Sequence, residues 1–384
     1  GMSKIHPNHH RVLHTGVMSH LHPSIARQLS LEYSAARALD IPWDVKFMAP
    51  NVGAHSTHSG IFLNSASIES VNRESVIQRS WAFWSLKREF FSWLRSVQHQ
   101  YDVILIRYSV HDPWLHSFMK HSRIPVITVH HTFEIEELFS TRGFLGRIRG
   151  LLEQGMGTRA LRKASAVIGV TPEIAKYELA RARTTPRIGF SYPNGAESAS
   201  TVAEDRRGAS PELLFVASEF DNWHGLDLLL ESLSDTGEDF LLHLVGEVRA
   251  ADLVKASRDR RVRVHGTLPQ KQITELAASC WLSISSLALQ RKGMKQACPL
   301  KVRDYLAMGL PTYGSYEEVL PAGFPYFIRG EPSITSILAA AQLFQFVSRT
   351  QVASVSLPLI NKKFLVASLY RQICSEMVAP RDVQ

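Results

Sequence analysis

CPLKVRDYLAMGLP, residues Cys298 to Pro311, is the stretch on which the reading of this chain turns. Its apolar spacing predicts a helix over Pro299 to Gly309, with Pro299 at the first helical position, Cys298 near the cap, Gly309 as the stop and Pro311 beyond it. Unpaired amides at such a start, at the positive end of the helix dipole, suit phosphate oxygens. Lys301 in the first turn adds a point charge. Asp304, one turn on from Leu300, can accept two hydrogen bonds from adjacent sugar hydroxyls. An ordinary helix with solvated Lys301 and Asp304 is the plainer reading of the same residues.

Outward from this helix, short β-branched runs alternate with helical patterns. WLSISS (Trp281 to Ser286) reads as the strand before it, preceded by a helix in QITELAASC (Gln272 to Cys280). Upstream lie strands in VRVHGTL (Val262 to Leu268), FLLHLVG (Phe240 to Gly246) and ELLFVAS (Glu212 to Ser218), with a helix at Leu226 to Leu233. YPNGAESASTVAEDRRGASP (Tyr192 to Pro211) is polar and turn-rich and reads as a domain boundary. Before it the rhythm is the same, with near-continuous apolar strands at Val45 to Pro50, Asp102 to Tyr108, Ile124 to His130 and Ser165 to Thr171. Helices are predicted at Ser24 to Leu39, Ser80 to His99, Arg147 to Lys163 and Pro172 to Arg183. This is the signature of crossover units that build parallel sheets. The expected class is α/β, as two Rossmann-like domains over residues 3–194 and 208–360, facing across a cleft that takes a ligand at the carboxyl ends of the strands.

The 384 residues are 45% hydrophobic and 20% charged, enough for two cores and too apolar for a disordered chain. Forty-three basic against 35 acidic residues leave a formal charge of +8, which points to an anionic partner: nucleic acid, phospholipid or a phosphorylated small molecule. Cys280, Cys298 and Cys374 are odd in number and widely spaced, so neither a disulfide framework nor a Cys-x-x-Cys metal pair is expected, and a reduced cytoplasmic setting fits. The residues after Met2 lack the apolar core of a signal peptide, and no apolar run approaches the length of a membrane span.

In order along the chain, these segments resemble the GT-B-fold retaining glycosyltransferases of glycosyltransferase family four. CPLKVRDYLAMGLP is similar to the S-P-L-K-x-x-E-Y-M-A-x-G-x-P helix of one branch of that family. LLFVASEFDNWHGLDLLLESL (Leu213 to Leu233) is similar to F-V-G-S-F-x-x-W-H-G-V-D-L-L-x-x-A. YPNGAE (Tyr192 to Glu197) resembles the P-N-G-V-D turn that opens the second domain, and VITVHHTFEIEE (Val126 to Glu137) the first-domain strand that ends in a histidine. The resemblance implies that Asp304 binds the nucleotide ribose. Lys301, His224 and the amides of Pro299, Leu300 and Lys301 would hold the diphosphate. Gln296 and His130 would meet the donor sugar as the catalytic pair, and the backbone near Thr267 would read the base. Ser218, Glu219, Gly246 and Cys298 fall on the donor side, and Gly16, Arg107 and Arg147 on the acceptor side. It also implies a closing helix within 361–384, around Asn361 to Met377, that returns to the first domain.

The sequence departs from the family at several of these positions. Gln296 stands where a glutamate is usual, and Asp304 shortens another. Ser218, Glu219 and His224 replace an Arg and Lys pair, and Cys298 replaces a serine. The first-domain loop offers Gly16 in place of a Gly-Gly pair.

SWAFWSLKREFFSWLRSV (Ser80 to Val97) interleaves aromatic and basic residues and reads either as a helix packed on the first sheet or as one lying on an anionic bilayer. Between Arg142 and Lys163 six basic residues stand against Glu153 alone, as a solvated face or as a border of the acceptor side. The histidines His9, His10, His20, His22, His55 and His58 have no metal-site spacing, and nucleic-acid binding has no motif behind it, so neither is expected. The expected activity is retaining transfer of a sugar from a UDP- or GDP-type donor, used as co-substrate with no cofactor or metal, to a glycan or lipid-linked acceptor. The expected place is the cytoplasm, with peripheral contact at the inner membrane surface. A non-catalytic GT-B relative that binds a nucleotide sugar or glycan, or serves as a subunit of an active partner, is the alternative. A sugar-nucleotide epimerase is the third.

Overall fold

The computed structural model describes residues 10–49, 60–63, 76–109, 112–131, 150, 153, 164–182, 188–196 and 201–377. The chain divides into two compact units, residues 1–192 with 365–384, and residues 193–364.

The first unit runs β1 (Val12–Val17), α1 (Pro23–Ala38), β2 (Trp43–Met48), α2 (Val76–Val97), β3 (Val103–Arg107), α3 (Pro113–His121), β4 (Val126–His130), β5 (Ala166–Gly169), α4 (Pro172–Ala182) and β6 (Gly189–Ser191). Its strands form one parallel sheet in the order β2-β1-β3-β4-β5-β6. Every residue of β1, β4 and β5 is buried, as in a sheet covered on both faces. Alternation along the strands divides the core in two. Val12, Val45, Val103 and Ile127 pack with Leu29 of α1 on one face, while Leu13, Met48, Ile104 and Val126 pack with Leu86, Phe90 and Leu94 of α2 on the other. The buried Glu32 of α1 joins three elements of this unit. It accepts from the Tyr192 hydroxyl at 2.7 Å and from Trp43 Nε1 at 3.2 Å, and it also lies 2.7 Å from His14 Nδ1.

The second unit runs β7 (Glu212–Glu219), α5 (Leu226–Ser232), β8 (Leu241–Glu247), α6 (Ala250–Ser257), β9 (Val262–Gly266), α7 (Gln270–Ala277), β10 (Leu282–Ile284), β11 (Gln296–Ala297), α8 (Leu300–Ala307), β12 (Thr312–Gly314), β13 (Glu317–Glu318), β14 (Phe327–Arg329), α9 (Ile334–Leu343) and α10 (Arg349–Ile360). The main sheet, again parallel, has the order β9-β8-β7-β10-β12-β14, and β11 pairs with β13 beside it. The last helix, α11 (Lys362–Met377), places Val366, Leu369 and Ile373 in the first unit's core.

The expected architecture of two parallel-sheet α/β domains is present. These strands end within two residues of the sequence reading, most of them short of it because hydrogen-bonded pairing stops before the apolar run does. One expectation is corrected: Gly16 lies inside β1, paired with Phe47, and not in the loop that follows. The run of strand-forming residues continues through Val17, and a Cβ at Gly16 would come within 2.8 Å of Arg107 Cβ and 2.9 Å of the Phe47 ring. The aromatic helix packs on the first sheet through one side. Leu86, Phe90, Phe91 and Leu94 of α2 are buried, while Ile77, Trp81 and Trp84, at helical spacing on one side, are 72%, 71% and 51% exposed. The segment from Arg142 to Lys163, including Arg147, lies outside the described residues apart from Gly150 and Glu153, as do His9, His55 and His58.

Glu32→Ala strands three buried polar groups at about 1–3 kcal/mol each. Urea denaturation of the full chain should show a stability loss of at least about 3 kcal/mol, and a loss below about 1 kcal/mol would contradict the bracing role given to this carboxylate.

Candidate functional site

Numbered by appearance, the second unit's main strands have the order 3-2-1-4-5-6, in which direction reverses between β7 and β10. Open α/β sheets bind ligands outside the carboxyl ends of their strands at such a switch point. Helix α8 leads into the amino end of β12, so its own start stands at that carboxyl edge. The buried Tyr305 fixes it there. Its hydroxyl accepts the Val216 N–H of β7 at 2.8 Å and donates to the Ile284 carbonyl of β10 at 3.2 Å, tying the helix to both strands of the switch point. Burial raises the Tyr305 pKa, which keeps the hydroxyl protonated and able to donate. Helix α8 ends in the predicted way: Gly309 has φ +87°, Leu310 N–H bonds the Tyr305 carbonyl, and Gly309 N–H bonds that of Leu306.

The start of α8 differs from expectation. Pro299, with ψ 141°, is the cap residue and Leu300 the first helical one, and Pro299 supplies no side-chain cap to the first-turn amides. Cys298 does not cap the helix. Its thiol accepts the Asn194 N–H at 3.2 Å, and the Asn194 side chain donates to the Cys298 carbonyl at 2.9 Å, so the PNG turn holds the approach to the helix. Burial pushes the Cys298 thiol up to about 11, so it is no thiolate at neutral pH. Lys301 and Asp304 are both partly exposed. Between them the wholly buried Arg303 donates to Glu318 Oε1 of β13 at 2.5 Å and to the Val319 carbonyl at 3.0 Å. Tyr316 donates to Glu318 Oε2 at 2.6 Å. Burial raises the Glu318 pKa, while Arg303 and Tyr316 oppose the rise. This pair braces β13 and so the facing β11, in which Gln296 pairs with Glu317.

Other expected residues gather at the same edge. Ser218 and Glu219 are exposed at the end of β7. Gly246, near the end of β8, has φ +128°, and a Cβ there would stand 1.8 Å from the Ala217 carbonyl oxygen, so the main chains of β7 and β8 meet without a side chain between them. Thr267 is exposed just beyond β9. His224 ends a single 3₁₀ turn, Asn222–His224, and its Nδ1 accepts the Asp221 N–H at 2.9 Å. That bond places the ring proton on Nε2. Burial is the largest cause lowering the His224 pKa, so it is an uncharged donor at neutral pH.

Sequence reasoning missed Tyr305, Asn194 and the loop after β10. Only a register that puts the fifth residue after Leu300 over the switch point would have identified Tyr305.

In the first unit the switch point lies between β1 and β3, and Gly16 and Arg107 flank it in contact. His130, the last residue of β4, is 1% exposed. Its Nε2 lies 2.8 Å from Thr128 Oγ1, its Nδ1 lies 3.5 Å from Glu178 Oε1, and Tyr108 covers the ring at 4.7 Å. Arg181 pairs with both Glu178 and Glu153 beside it. A buried polar network thus surrounds the His130 imidazole. Among the described residues no three His, Cys, Asp or Glu side chains are grouped to share a metal ion. No helix among them is long and apolar enough to cross a membrane.

No protein-family model and no curated protein matches the chain. Solved structures do. A sucrose-phosphate synthase from Thermosynechococcus elongatus is similar at a TM-score of 0.66 and 15% identity, over 95% of this chain and 100% of its own. The lipopolysaccharide outer core galactosyltransferase WaaB is similar at 0.66 and 11%, over 95% and 99%. HepE from Anabaena, in complex with UDP and glucose, is similar at 0.62 and 15%, over 96% and 100%. The chain therefore has the GT-B fold of these glycosyltransferases, two α/β domains each built on a parallel six-stranded sheet.

The tautomer and burial of His224 set a titration. Its imidazole should titrate below the ordinary value of about 6.5, as followed by histidine-resolved NMR. As pH falls from about 6.5 toward the folded-state value, the unfolded chain binds the proton more readily, so this group's contribution lowers stability with falling pH. A midpoint above 6.5 would contradict the assignment.

Proposed function

We propose that the protein is a glycosyltransferase that moves a sugar from a nucleoside diphosphate donor to a glycan or lipid-linked acceptor with retention of configuration. The observation that carries this is the start of α8, which has no side-chain cap from Pro299 and is tied by Tyr305 to both strands of the switch point. Such an end stabilises a departing diphosphate more than a neutral sugar, which is the differential binding that glycosyl transfer requires. Lys301 adds charge in the first turn, and His224 adds an uncharged donor. Asp304 accepts from the ribose hydroxyls, Gln296 from or to the donor sugar, and the backbone at Thr267 meets the base. In this reading the diphosphate is held by amides and side chains without a divalent metal. His130, enclosed as it is, is assigned no contact with the sugar, and Gly16 and Arg107 mark the acceptor side on the first unit. The exposed Ile77, Trp81 and Trp84, continued by the exposed Arg88 one turn on, support peripheral contact with an anionic cytoplasmic membrane surface that carries a lipid-linked acceptor.

The presence of Gln296 where the resembling family carries a carboxylate favours one rival, a relative that binds the donor without turning it over. Thermal shift with UDP- and GDP-sugars decides the first point: a ligand at a hundredfold excess over its Kd stabilises by about 2.7 kcal/mol. Asp304→Ala should weaken binding about tenfold or more, the cost of a lost charge-assisted hydrogen bond. Equal shifts in both proteins would remove Asp304 from the ribose. Binding without hydrolysis or transfer, in an assay with the same donors, would favour the rival.

A further inference from the structure

The sequence lacks the basic pair expected at Ser218, Glu219 and His224, and the first two of these are exposed and uncharged or acidic. We propose that the missing cation is Lys292, delivered from the loop after β10 and held on the face of Trp223, where it meets the diphosphate of the donor; this rests on the reading just given of that site.

The turn Asn222–His224 follows β7, and the segment Leu287 to Lys292 follows β10, so both rise from the two strands of the switch point. They are joined main chain to main chain: Leu287 N–H donates to the His224 carbonyl at 3.0 Å and Ala288 N–H to the Trp223 carbonyl at 3.1 Å. A Cβ at Gly225, whose φ is +68°, would approach Leu287 Cβ to 2.9 Å, so glycine is what lets the two segments close. Arg291 then locks the register. It donates to the Asn222 carbonyl and Oδ1, both at 3.0 Å, and forks onto Asp227 at 2.9 and 3.1 Å.

With Arg291 fixed in this way, the next side chain, Lys292, is set over Trp223 with Nζ 4.0 Å from the ring centroid. The three basic side chains around this turn have different fates. Arg291 is neutralised by Asp227, and Arg249 lies 2.8 Å from Asp221 and 3.5 Å from Glu219. Among the described residues no carboxylate lies within ion-pair distance of Lys292. A cation–π contact orients an ammonium without cancelling its charge, and leaves donors free for phosphate oxygens. Beside it His224 offers the Nε2 proton of a neutral ring. One cation and one uncharged donor together suit a phosphate group, and Lys292 takes over the work of the absent pair from a different strand.

Calorimetry with UDP, GDP and the corresponding monophosphates tests this on the full chain. Lys292→Met should weaken diphosphate binding about tenfold or more while leaving the monophosphate within about twofold, and Lys292→Arg, which keeps the charge, should retain most of the diphosphate affinity. If the wild-type chain binds a diphosphate and Lys292→Met binds it equally well, or if both diphosphate and monophosphate weaken together, Lys292 is not the cation, and the reading of the site stands without it. If the wild-type chain binds neither diphosphate, that reading fails and this inference with it. Should the Met variant not fold, Lys292→Gln gives the same comparison.

Discussion

One hydroxyl group sets the geometry on which the second unit's chemistry rests. Tyr305 spans β7 and β10 at the place where strand order reverses, taking the Val216 amide and giving its proton to the Ile284 carbonyl. Both main-chain groups are buried, so each would cost about 1–3 kcal/mol if left without a partner. The bond therefore fixes α8 by its middle, and a helix fixed by its middle has its first turn fixed as well. Everything that follows from an amide-lined start with Lys301 and Asp304 on it depends on that anchor.

Around the anchor, the candidate site is braced by buried side chains. The Arg303 and Glu318 pair is wholly buried, and removing one partner of such a pair typically costs about 3–5 kcal/mol, so the braced segment carrying Gln296 resists rearrangement. Gly246 and Gly225 act in the opposite sense, by removing bulk where β7 meets β8 and where two loops join. The site is thus rigid at the strand ends, and its charges sit on side chains that are only partly buried. In the first unit one polar cluster lies inside: His130, Glu153, Glu178 and Arg181 form a network among strand ends and α4.

Much of this was legible in the sequence. The alternation of apolar runs and helical patterns determined two parallel sheets, because a strand buried on both faces has no other composition open to it. CPLKVRDYLAMGLP identified α8, its stop at Gly309 and the exposed positions Lys301 and Asp304. Its start was read one residue early, because a proline suits the cap and the first helical position equally well in composition. The rest depended on contacts between residues far apart in the chain. Nothing local marks Asn194 as the partner of Cys298, 104 residues on, or Arg291 as the partner of Asp227. His130 was placed correctly at a strand end, but its neighbours Thr128, Tyr108 and Glu178 come together only on folding. Lys292 was unremarkable as one half of an Arg-Lys doublet until the turn at Trp223 was seen beneath it.

The most direct measurement is a crystal structure of the chain with a nucleoside diphosphate bound. The phosphate oxygens should lie within about 3 Å of the backbone nitrogens of Leu300 and Lys301, with the ribose hydroxyls on Asp304. A well-occupied diphosphate elsewhere on the chain, with the first turn of α8 facing solvent, would contradict the central claim that this helix start is where the donor is held.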